Sequence, residues 1–190
     1  MFLRILGLSL YCAWIVLEVV IAIGTRTWRS QGKLHDRGSQ LILWVVILAS
    51  FTTAGWVAQL VPNMDFHLPS LPLRIVTVAL LAAGLAIRLT AIVTLGRSFS
   101  ANVAIRSSQT VLRKGLYRVV RHPSYLGLEI IFLAAGLRLH NWISLAIILV
   151  PPTAALIYRM HVEEAALLGA FGSDYADYMK TTKRLIPGVY

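Results

Sequence analysis

The stretch RHPSYLGLEIIFLAAGLRL, residues 121–139, joins a cluster of polar groups directly to an apolar run. The apolar residues predict a helix that lies in a membrane. Pro123 suits the first turn of that helix, where its missing N–H costs nothing, and the other N–H groups of the turn are expected to favour an anion. Arg121, His122 and Tyr125 surround this turn. Polar groups at the mouth of a membrane helix are costly unless they are paired or bind something, so the stretch is the first candidate for a site.

The composition of the whole chain indicates a membrane protein. Its 190 residues are 57% hydrophobic and only 14% charged, with a mean hydropathy of +0.72, which is too apolar for an ordinary soluble domain. The net charge is +10. Because the basic residues lie between long apolar runs, we attribute this charge to membrane topology and contact with anionic lipids, and we expect no nucleic-acid partner. The one cysteine, Cys12, excludes a disulfide within the chain, and its thiol is expected to be buried and inert.

Five apolar segments predict a bundle of about five transmembrane helices. These segments are Leu3–Ile23, Leu41–Leu60, Leu73–Leu95, Tyr125–Leu139 and Ile143–Tyr158. The first three approach the roughly 20 residues that cross a bilayer. The last two are shorter and are expected to form a short hairpin that packs against the other helices. Pro151–Pro152 predicts a kink in the last segment. The first segment is too long for the core of a signal peptide and is expected to be retained.

Loop charges predict the orientation of the bundle. The connections after the first and third segments are rich in Lys and Arg, whereas residues 61–72 contain neither. By the positive-inside rule, the two basic connections and the C-terminal tail are cytoplasmic and the N-terminus is outside. From His161 onward the tail predicts an amphipathic helix on the cytoplasmic face. The expected fold class is therefore all-α, a polytopic membrane bundle in one domain over residues 1–190, and we expect a prokaryotic inner membrane as its location.

A second group of polar residues lies where the fifth segment ends. Arg159 and Glu163 are four positions apart, so on a helix they share one face and can pair. Glu164 points about 100° away from Glu163, and His161 lies on the opposite side. A solvated ion pair at a helix end would explain them. However, the group lies at the same end of the bundle as RHPSYLG, and an ionisable residue at that depth is a functional candidate.

A third group of charged residues inside the apolar segments comprises Glu18, Arg88, Glu129 and Arg138. Arg88 can pair with Glu129 or with Glu18, which would be a structural role, and Arg138 lies near a segment end, where its side chain can reach the interface. The chain has no glycine-rich dinucleotide loop, no phosphate-binding loop and no zinc-ligand spacing. We therefore predict no metal site, and any nucleotide-like cofactor must bind without a Rossmann fold.

The second half of the chain resembles the isoprenylcysteine carboxyl methyltransferase family, which includes related phospholipid methyltransferases. The motifs that carry this resemblance are LGRSFSANV, VLRKGLYRVVRHPSYLG, the turn HNW, RMHVEEAALLGAFGSDYADYM and RLIPGVY. RHPxYxG followed by RxxxEE and FGxxYxxY is specific as a combination. The resemblance implies an integral-membrane methyltransferase that uses S-adenosylmethionine and yields S-adenosylhomocysteine. Residues 1–95 would be a three-helix membrane scaffold, and residues 96–190 the cofactor-binding, catalytic core.

The resemblance also implies a set of cofactor-binding residues. They are Leu112, Gly115, Leu116, Tyr117, Arg121, His122, Pro123, Tyr125, Glu163 and Glu164. Those at positions 112–117 would contact the adenosine through their backbone, and His122 and Tyr125 would bind the methionine part. Glu163 would approach the amino group of the cofactor or the reacting centre.

The acceptor is expected to be lipophilic and to enter from the bilayer, as a small molecule or a prenylated substrate. Arg159 and Glu163 are the expected catalytic pair, in which Arg159 holds Glu163 or an anionic group of the substrate. Glu129 and Arg88 are the expected substrate-binding residues. The carboxylate of an isoprenylcysteine-like group is the favoured acceptor. Glu129 stands where carboxyl-methylating members carry aromatic residues, so a phospholipid or other amine N-methyltransferase is the alternative.

Two other classes of protein stay open. Membrane sterol reductases have a related core and use NADPH, but the stretch HVEEAALLGAFGSDY lacks the cysteine and tryptophan of their tails. A non-catalytic membrane protein with the same fold is disfavoured, because the polar residues of both motifs are retained. The sequence carries no prediction of the oligomeric state.

Overall fold

The computed structural model of the chain describes residues 2–27, 33–34, 38–96, 104–105 and 110–190. Its helices are α1 (Phe2–Thr27), α2 (Ser39–Leu60), α3 (Ser70–Leu95), α4 (Pro123–Arg138), α5 (Trp142–Phe171) and α6 (Ser173–Thr181). Two short antiparallel strands, β1 (Lys33–Leu34) and β2 (Ala104–Ile105), join the connections that follow α1 and α3. Much of these two basic connections, including LGRSFSANV beyond Gly96, lies outside the described residues.

Among the described residues, four helices, α1, α2, α3 and α5, are long and apolar enough to cross a membrane, and the chain is an integral multi-pass membrane protein. The fifth expected segment is α4, which has 16 residues. At 1.5 Å per residue it measures about 24 Å, less than the thickness of the hydrocarbon core. Nine of its residues are buried, because the longer helices pack around it.

The last two helices do not form a hairpin of short helices, which corrects one expectation. α5 has 30 residues and continues through both prolines and past Tyr158. It ends at Gly172, whose φ of 54° lies in the left-handed region that glycine favours. The polar segment from His161 is therefore the end of α5, and α6 alone forms the separate helix of the tail. The second proline is buried within α5.

Packing runs in the order α2, α5, α4, α3, α1. An aromatic cluster adds a further link across this order. The rings of Trp14 in α1, Phe51 in α2 and Phe132 in α4 have centroids 5.8 to 6.3 Å apart. Phe132 is fully buried. α4 is therefore the centre of the bundle, and residues at its start have fixed positions relative to the other helices.

α3 and α4 approach each other to backbone contact at two glycines. A Cβ atom added to Gly84 would lie 2.8 Å from the carbonyl oxygen of Gly127, and one added to Gly127 would lie 2.7 Å from that of Gly84. Such close crossings between small residues are common in membrane helices, where packing rather than water drives association. The contact places the first turns of α4 directly against Arg88 of α3.

The connections meet at two ends of the bundle. At one end the amide of Phe66 donates to the carbonyl of His140 at 2.8 Å. Beside it, the side chain of Asn141 donates to Val61 and accepts from the amide of Ser144, which caps α5. At the other end lie the β1–β2 pair and the C-terminal tail. Successive connections therefore lie at opposite ends of the bundle, as the expected topology requires. Which of the two ends is cytoplasmic stays a prediction.

Cys12 differs from expectation, since its side chain is exposed on α1. The buried side chains near it, Trp14 and Glu18, are one turn apart and form one edge of the helix. Cys12 lies two residues before Trp14, so it points to the opposite side. It faces away from the bundle because α1 buries only a narrow edge.

Replacing Gly127 with Ala should destabilise the fold, because the added methyl group has no room between α3 and α4. We expect a loss of about 1–3 kcal/mol, the usual range for overpacking, seen as a lower midpoint of thermal unfolding in detergent. Gly55→Ala is the matched control, since a Cβ there meets no atom within 4 Å. Equal midpoints for the two variants would contradict the contact.

Candidate functional site

The C-terminal tail holds the segment that precedes α4. The amide of Arg121 donates to the carbonyl of Lys183 at 2.8 Å, and the amide of His122 donates to that of Arg184 at 3.1 Å. α4 then starts at Pro123, which is fully buried. RHPSYLG is therefore fixed between α3 on one side and the tail on the other.

The first turn of α4 offers an anion fewer donors than expected. The amides of Tyr125 and Leu126 both donate to the carbonyl oxygen of His122 at 3.1 Å, and Pro123 has no N–H. These backbone groups are already used within the turn. These two amides are therefore not available to a negatively charged ligand at this end of the helix.

The hydroxyl of Tyr125 links α4 to two residues of α5. It donates to Oε2 of Glu163 at 2.8 Å and accepts from Nε of Arg159 at 2.8 Å. Arg159 is only 3% exposed, and its Nη1 donates to the hydroxyl of Ser39 at 3.0 Å. Arg159 and Glu163 were expected to share one face of a helix, and Tyr125 bridges them there.

The imidazole of His122 lies between two glutamates. Its ring stacks on that of Tyr125, with centroids 5.4 Å apart and planes 10° from parallel. Nε2 is 3.2 Å from Oε1 of Glu164, and Nδ1 is 3.9 Å from Oε2 of Glu163. The Glu163 side chain is 25% exposed and the Glu164 side chain 4%, so of the two Glu163 is the one that a ligand can reach.

Glu164 lies at the centre of a buried basic cluster. Its Oε1 also accepts from Nε of Arg121 at 2.8 Å, and its Oε2 accepts from Nε and Nη2 of Arg184 at 3.0 and 2.7 Å. Arg121 donates in addition to the carbonyls of Met179 and Thr182. The cluster joins the start of α4, the end of α5 and the tail. Sequence reasoning missed Arg184, although its place in RLIPGVY was an available signal.

The residues expected to contact adenosine lie at a 3₁₀ turn, Gly115–Arg118, with Leu112 just before it. Tyr117 is buried, and its carbonyl accepts from the hydroxyl of Tyr178 in α6 at 2.6 Å. Burial raises the pKa of Tyr178 to about 12, so this hydroxyl remains a donor at physiological pH. The carbonyl of Leu116 accepts from the two amides that follow the turn. α6 therefore supports the turn, a role that the sequence did not indicate for Tyr178.

Glu18, Arg88 and Glu129 form two separate groups, whereas the guanidinium of Arg138 lies over the ring of Tyr11, 5.3 Å from its centroid. Nη2 of Arg88 donates to Oε2 of Glu18 at 2.7 Å, and its Nη1 donates to the hydroxyl of Ser124 at 2.8 Å. Glu129 instead accepts from Thr153 of α5 at 3.0 Å through Oε2. Its Oε1 is buried and has no hydrogen-bond partner among the described residues. Of the two partners that the sequence allowed for Arg88, the structure therefore shows Glu18. Oε1 of Glu129 remains able to accept a hydrogen bond from a ligand.

A family model described as the isoprenylcysteine carboxyl methyltransferase (ICMT) family matches residues 76–169. The matched segment contains RHPSYLG together with Arg159, Glu163 and Glu164. It ends before α6 and the tail. The part of the site that lies on α4 and α5 therefore falls within the match.

Three curated proteins show the extent of the similarity. The protein-S-isoprenylcysteine O-methyltransferase of Schizosaccharomyces pombe is 34% identical over 109 residues, 56% of this chain and 46% of that protein. Protein-S-isoprenylcysteine O-methyltransferase B of Arabidopsis thaliana is 33% identical over 105 residues, 54% of this chain and 53% of its own. The protein-S-isoprenylcysteine O-methyltransferase of Saccharomyces cerevisiae is 32% identical over 124 residues, 63% of this chain and 52% of that protein. The chain thus spans about half the length of the curated relatives it matches.

A solved structure extends the comparison to the fold. The eukaryotic intramembrane Ras methyltransferase ICMT matches with a TM-score of 0.58 and 23% identity, over 76% of this chain and 52% of that one. The shared fold is a bundle of membrane helices, as the composition predicted. The resemblance found in the sequence is thereby confirmed: residues 76–169 match the model of the isoprenylcysteine carboxyl methyltransferase family, and the fold matches that of the solved methyltransferase.

Proposed function

We propose that the chain is an integral-membrane methyltransferase that uses S-adenosylmethionine to methylate a lipophilic acceptor. The observation that carries this proposal is the polar group at one end of the bundle, in which Tyr125 joins Arg159 to Glu163 beside His122. The names of the curated relatives, protein-S-isoprenylcysteine O-methyltransferases, support an acceptor of that type. We therefore favour the carboxylate of an isoprenylcysteine-like substrate.

The residues present fit the amino-acid part of S-adenosylmethionine. Nδ1 of His122 and Oε2 of Glu163 lie 3.9 Å apart. If both act as acceptors, one ammonium group can reach each of them at an ordinary charge-assisted hydrogen-bond length. We assign the cofactor's amino group to this gap and its adenosine to residues 112–117. When bound, the cofactor supplies a methyl group on a positively charged sulfur, whose bond to that methyl breaks as the acceptor attacks.

Arg159 and Glu163 would act by positioning. Glu163 would hold the amino group of the cofactor, while Arg159, held by Tyr125 and Ser39, would attract the carboxylate of the acceptor. A carboxylate is already ionised at neutral pH and needs no general base. Correct alignment of the two reactants would then be the main contribution of the protein. The lipid part of the acceptor dissolves in the bilayer and would enter from there.

Glu129 favours a second candidate, an amine acceptor such as a phospholipid headgroup. It lies four residues after Tyr125 on α4, hence on the same face and one turn further from the start of the helix. Its buried Oε1 lacks a partner among the described residues and could hold a cationic headgroup or take the proton that an amine must lose. Arg88 contacts Glu18 and Ser124, so we propose that it affects the acceptor only by fixing α4.

We also propose one domain, with residues 1–95 as a membrane scaffold and 96–190 as the core that carries most of the site. The N-terminus would be outside, and the site and the tail cytoplasmic. The basic connections support this orientation. The relatives compared above are eukaryotic proteins, so they lend no support to a prokaryotic inner membrane.

The orientation can be tested by cysteine labelling. In a Cys12→Ser background, Asn63→Cys in the α2–α3 connection should react with a membrane-impermeant maleimide added to intact cells. Lys180→Cys in α6 should react only after the cells are opened. The reverse pattern would show that the topology is inverted.

The cofactor site can be tested by calorimetry in detergent. S-adenosylhomocysteine should bind the wild-type chain. Glu163→Gln and His122→Ala should weaken binding by about 10- to 100-fold, because each removes a contact to a charged group worth 1.5–3 kcal/mol. Wild-type affinity in both variants would mean that the cofactor binds elsewhere.

Asp177→Asn is the control, since Asp177 is an exposed acid that pairs with Lys180 on α6. It should bind S-adenosylhomocysteine like the wild type. NADPH should give no heat of binding. A chain that binds NADPH and not S-adenosylhomocysteine would belong with the reductases and would refute the proposed function.

The acceptor class can be decided from the methylated product of a lipid extract. A carboxylate acceptor gives a methyl ester that releases methanol in base, and activity should survive Glu129→Gln. An amine acceptor gives a base-stable product, and Glu129→Gln should then lower the rate by about 100-fold or more. A base-stable product would reject the carboxylate that we favour.

A further inference from the structure

The carboxylate of Glu164 is fully used by protein groups. Its two oxygens face four donor atoms: Nε of Arg121, Nε2 of His122, and Nε and Nη2 of Arg184, all between 2.7 and 3.2 Å away. A carboxylate offers about four lone-pair directions, so these contacts leave none for a ligand. Only 3% of the residue is exposed. Glu164 therefore lacks both the free acceptor and the access that a cofactor ligand needs.

The contact between Glu164 and His122 determines where the imidazole carries its proton. Two guanidinium groups on one carboxylate keep it ionised, and an ionised carboxylate can only accept a hydrogen bond. Nε2 of His122 must then be the protonated nitrogen. In a neutral imidazole this leaves Nδ1 as an acceptor, and Nδ1 is the nitrogen that faces Glu163.

Glu163 competes for the same proton. Its Oε2 lies 3.9 Å from Nδ1, and a small rotation would let an Nδ1–H donate to it. Without Glu164, a proton on Nδ1 would therefore be favoured, and the gap between Nδ1 and Glu163 would lose one of its two acceptors. The tail takes part in this choice, because Arg184 supplies two of the four donors to Glu164 and pairs by its backbone with His122.

We propose that Glu164 is a positioning residue that, held by Arg121 and by Arg184 of the tail, keeps the proton of His122 on Nε2 and so leaves Nδ1 free to accept a hydrogen bond from a cationic group. This inference rests on the proposed function for the identity of that group, the ammonium of S-adenosylmethionine. It assigns Glu164 and Arg121 to the support of the site rather than to direct contact with the cofactor. The same pattern, in which one ring nitrogen is fixed so that the other can bind, orients histidines at metal sites.

Nitrogen NMR of the full chain, labelled with ¹⁵N-histidine in detergent at about pH 8.5, where an ordinary imidazole is neutral, reads the tautomer directly. The His122 signals are assigned by their loss in His122→Gln. We expect Nε2 to carry the proton in the wild type, both without ligand and with S-adenosylhomocysteine. In Glu164→Gln, which keeps the volume and removes the charge, the Nδ1–H form should appear. A bare Nε2 in the wild type would overturn the proposal, whether or not any variant folds.

Binding provides the second readout. Glu164→Gln should weaken the binding of S-adenosylhomocysteine by about 10-fold, the lower range for loss of an orienting partner. Arg184→Met should weaken this binding as well. Asp177→Asn, which changes only an exposed acid that pairs with Lys180 on α6, should change neither the tautomer nor the affinity. If Glu164→Gln folds and alters the affinity while His122 keeps its proton on Nε2, Glu164 contacts the ligand directly and the proposal is wrong.

Failure of the proposed function would look different. A wild-type chain that does not bind S-adenosylhomocysteine but keeps the proton on Nε2 of His122, and loses it in Glu164→Gln, would reject the cofactor and retain the role of Glu164. The tautomer is measured without any ligand, so the two results are independent.

Discussion

The backbone contact between Gly84 and Gly127 is the constraint on which the rest of the structure depends. It brings α3 and α4 together without intervening side chains, and it sets Arg88 beside the first turn of α4, where its guanidinium reaches Ser124. Because Glu18 neutralises Arg88, α1 is held by the same contact. The segment with His122 and Tyr125 thereby acquires a fixed position against α5.

The sequence predicted the helical class and most of the spans, because hydropathy over a long window reflects the cost of exposing polar groups to lipid. It could not predict the length of α5. The fall in hydropathy after Tyr158 indicated the end of a span, but a helix does not end where it leaves the apolar region. It ends where the backbone changes, at Gly172. The exposure of Cys12 was missed because an apolar helix can face lipid as well as the protein core.

The same limit applies to the site. The pair Arg159 and Glu163 followed from helical spacing, since both lie on one helix. Tyr125 is 34 and 38 residues away from them in the sequence, and its hydroxyl bridges them only because α4 and α5 pack side by side. The cluster around Glu164 likewise needs Arg184 from the tail. Such contacts depend on tertiary packing, which a single sequence taken by itself does not reveal.

The shortness of α4 has a consequence for biosynthesis. A helix of 16 residues that carries a glutamate inserts poorly by itself, since an acidic group near the middle of a span costs about 2.5–3.5 kcal/mol on insertion scales. We therefore expect the nascent α4 to pack against α3 until α5 follows and its Thr153 donates to that glutamate. The tail that completes the cluster around Glu164 is made later still. α4 is thus made before the groups that surround His122: a chain that ends within α5 before Glu163 lacks both glutamates, and the tail with Arg184 comes last.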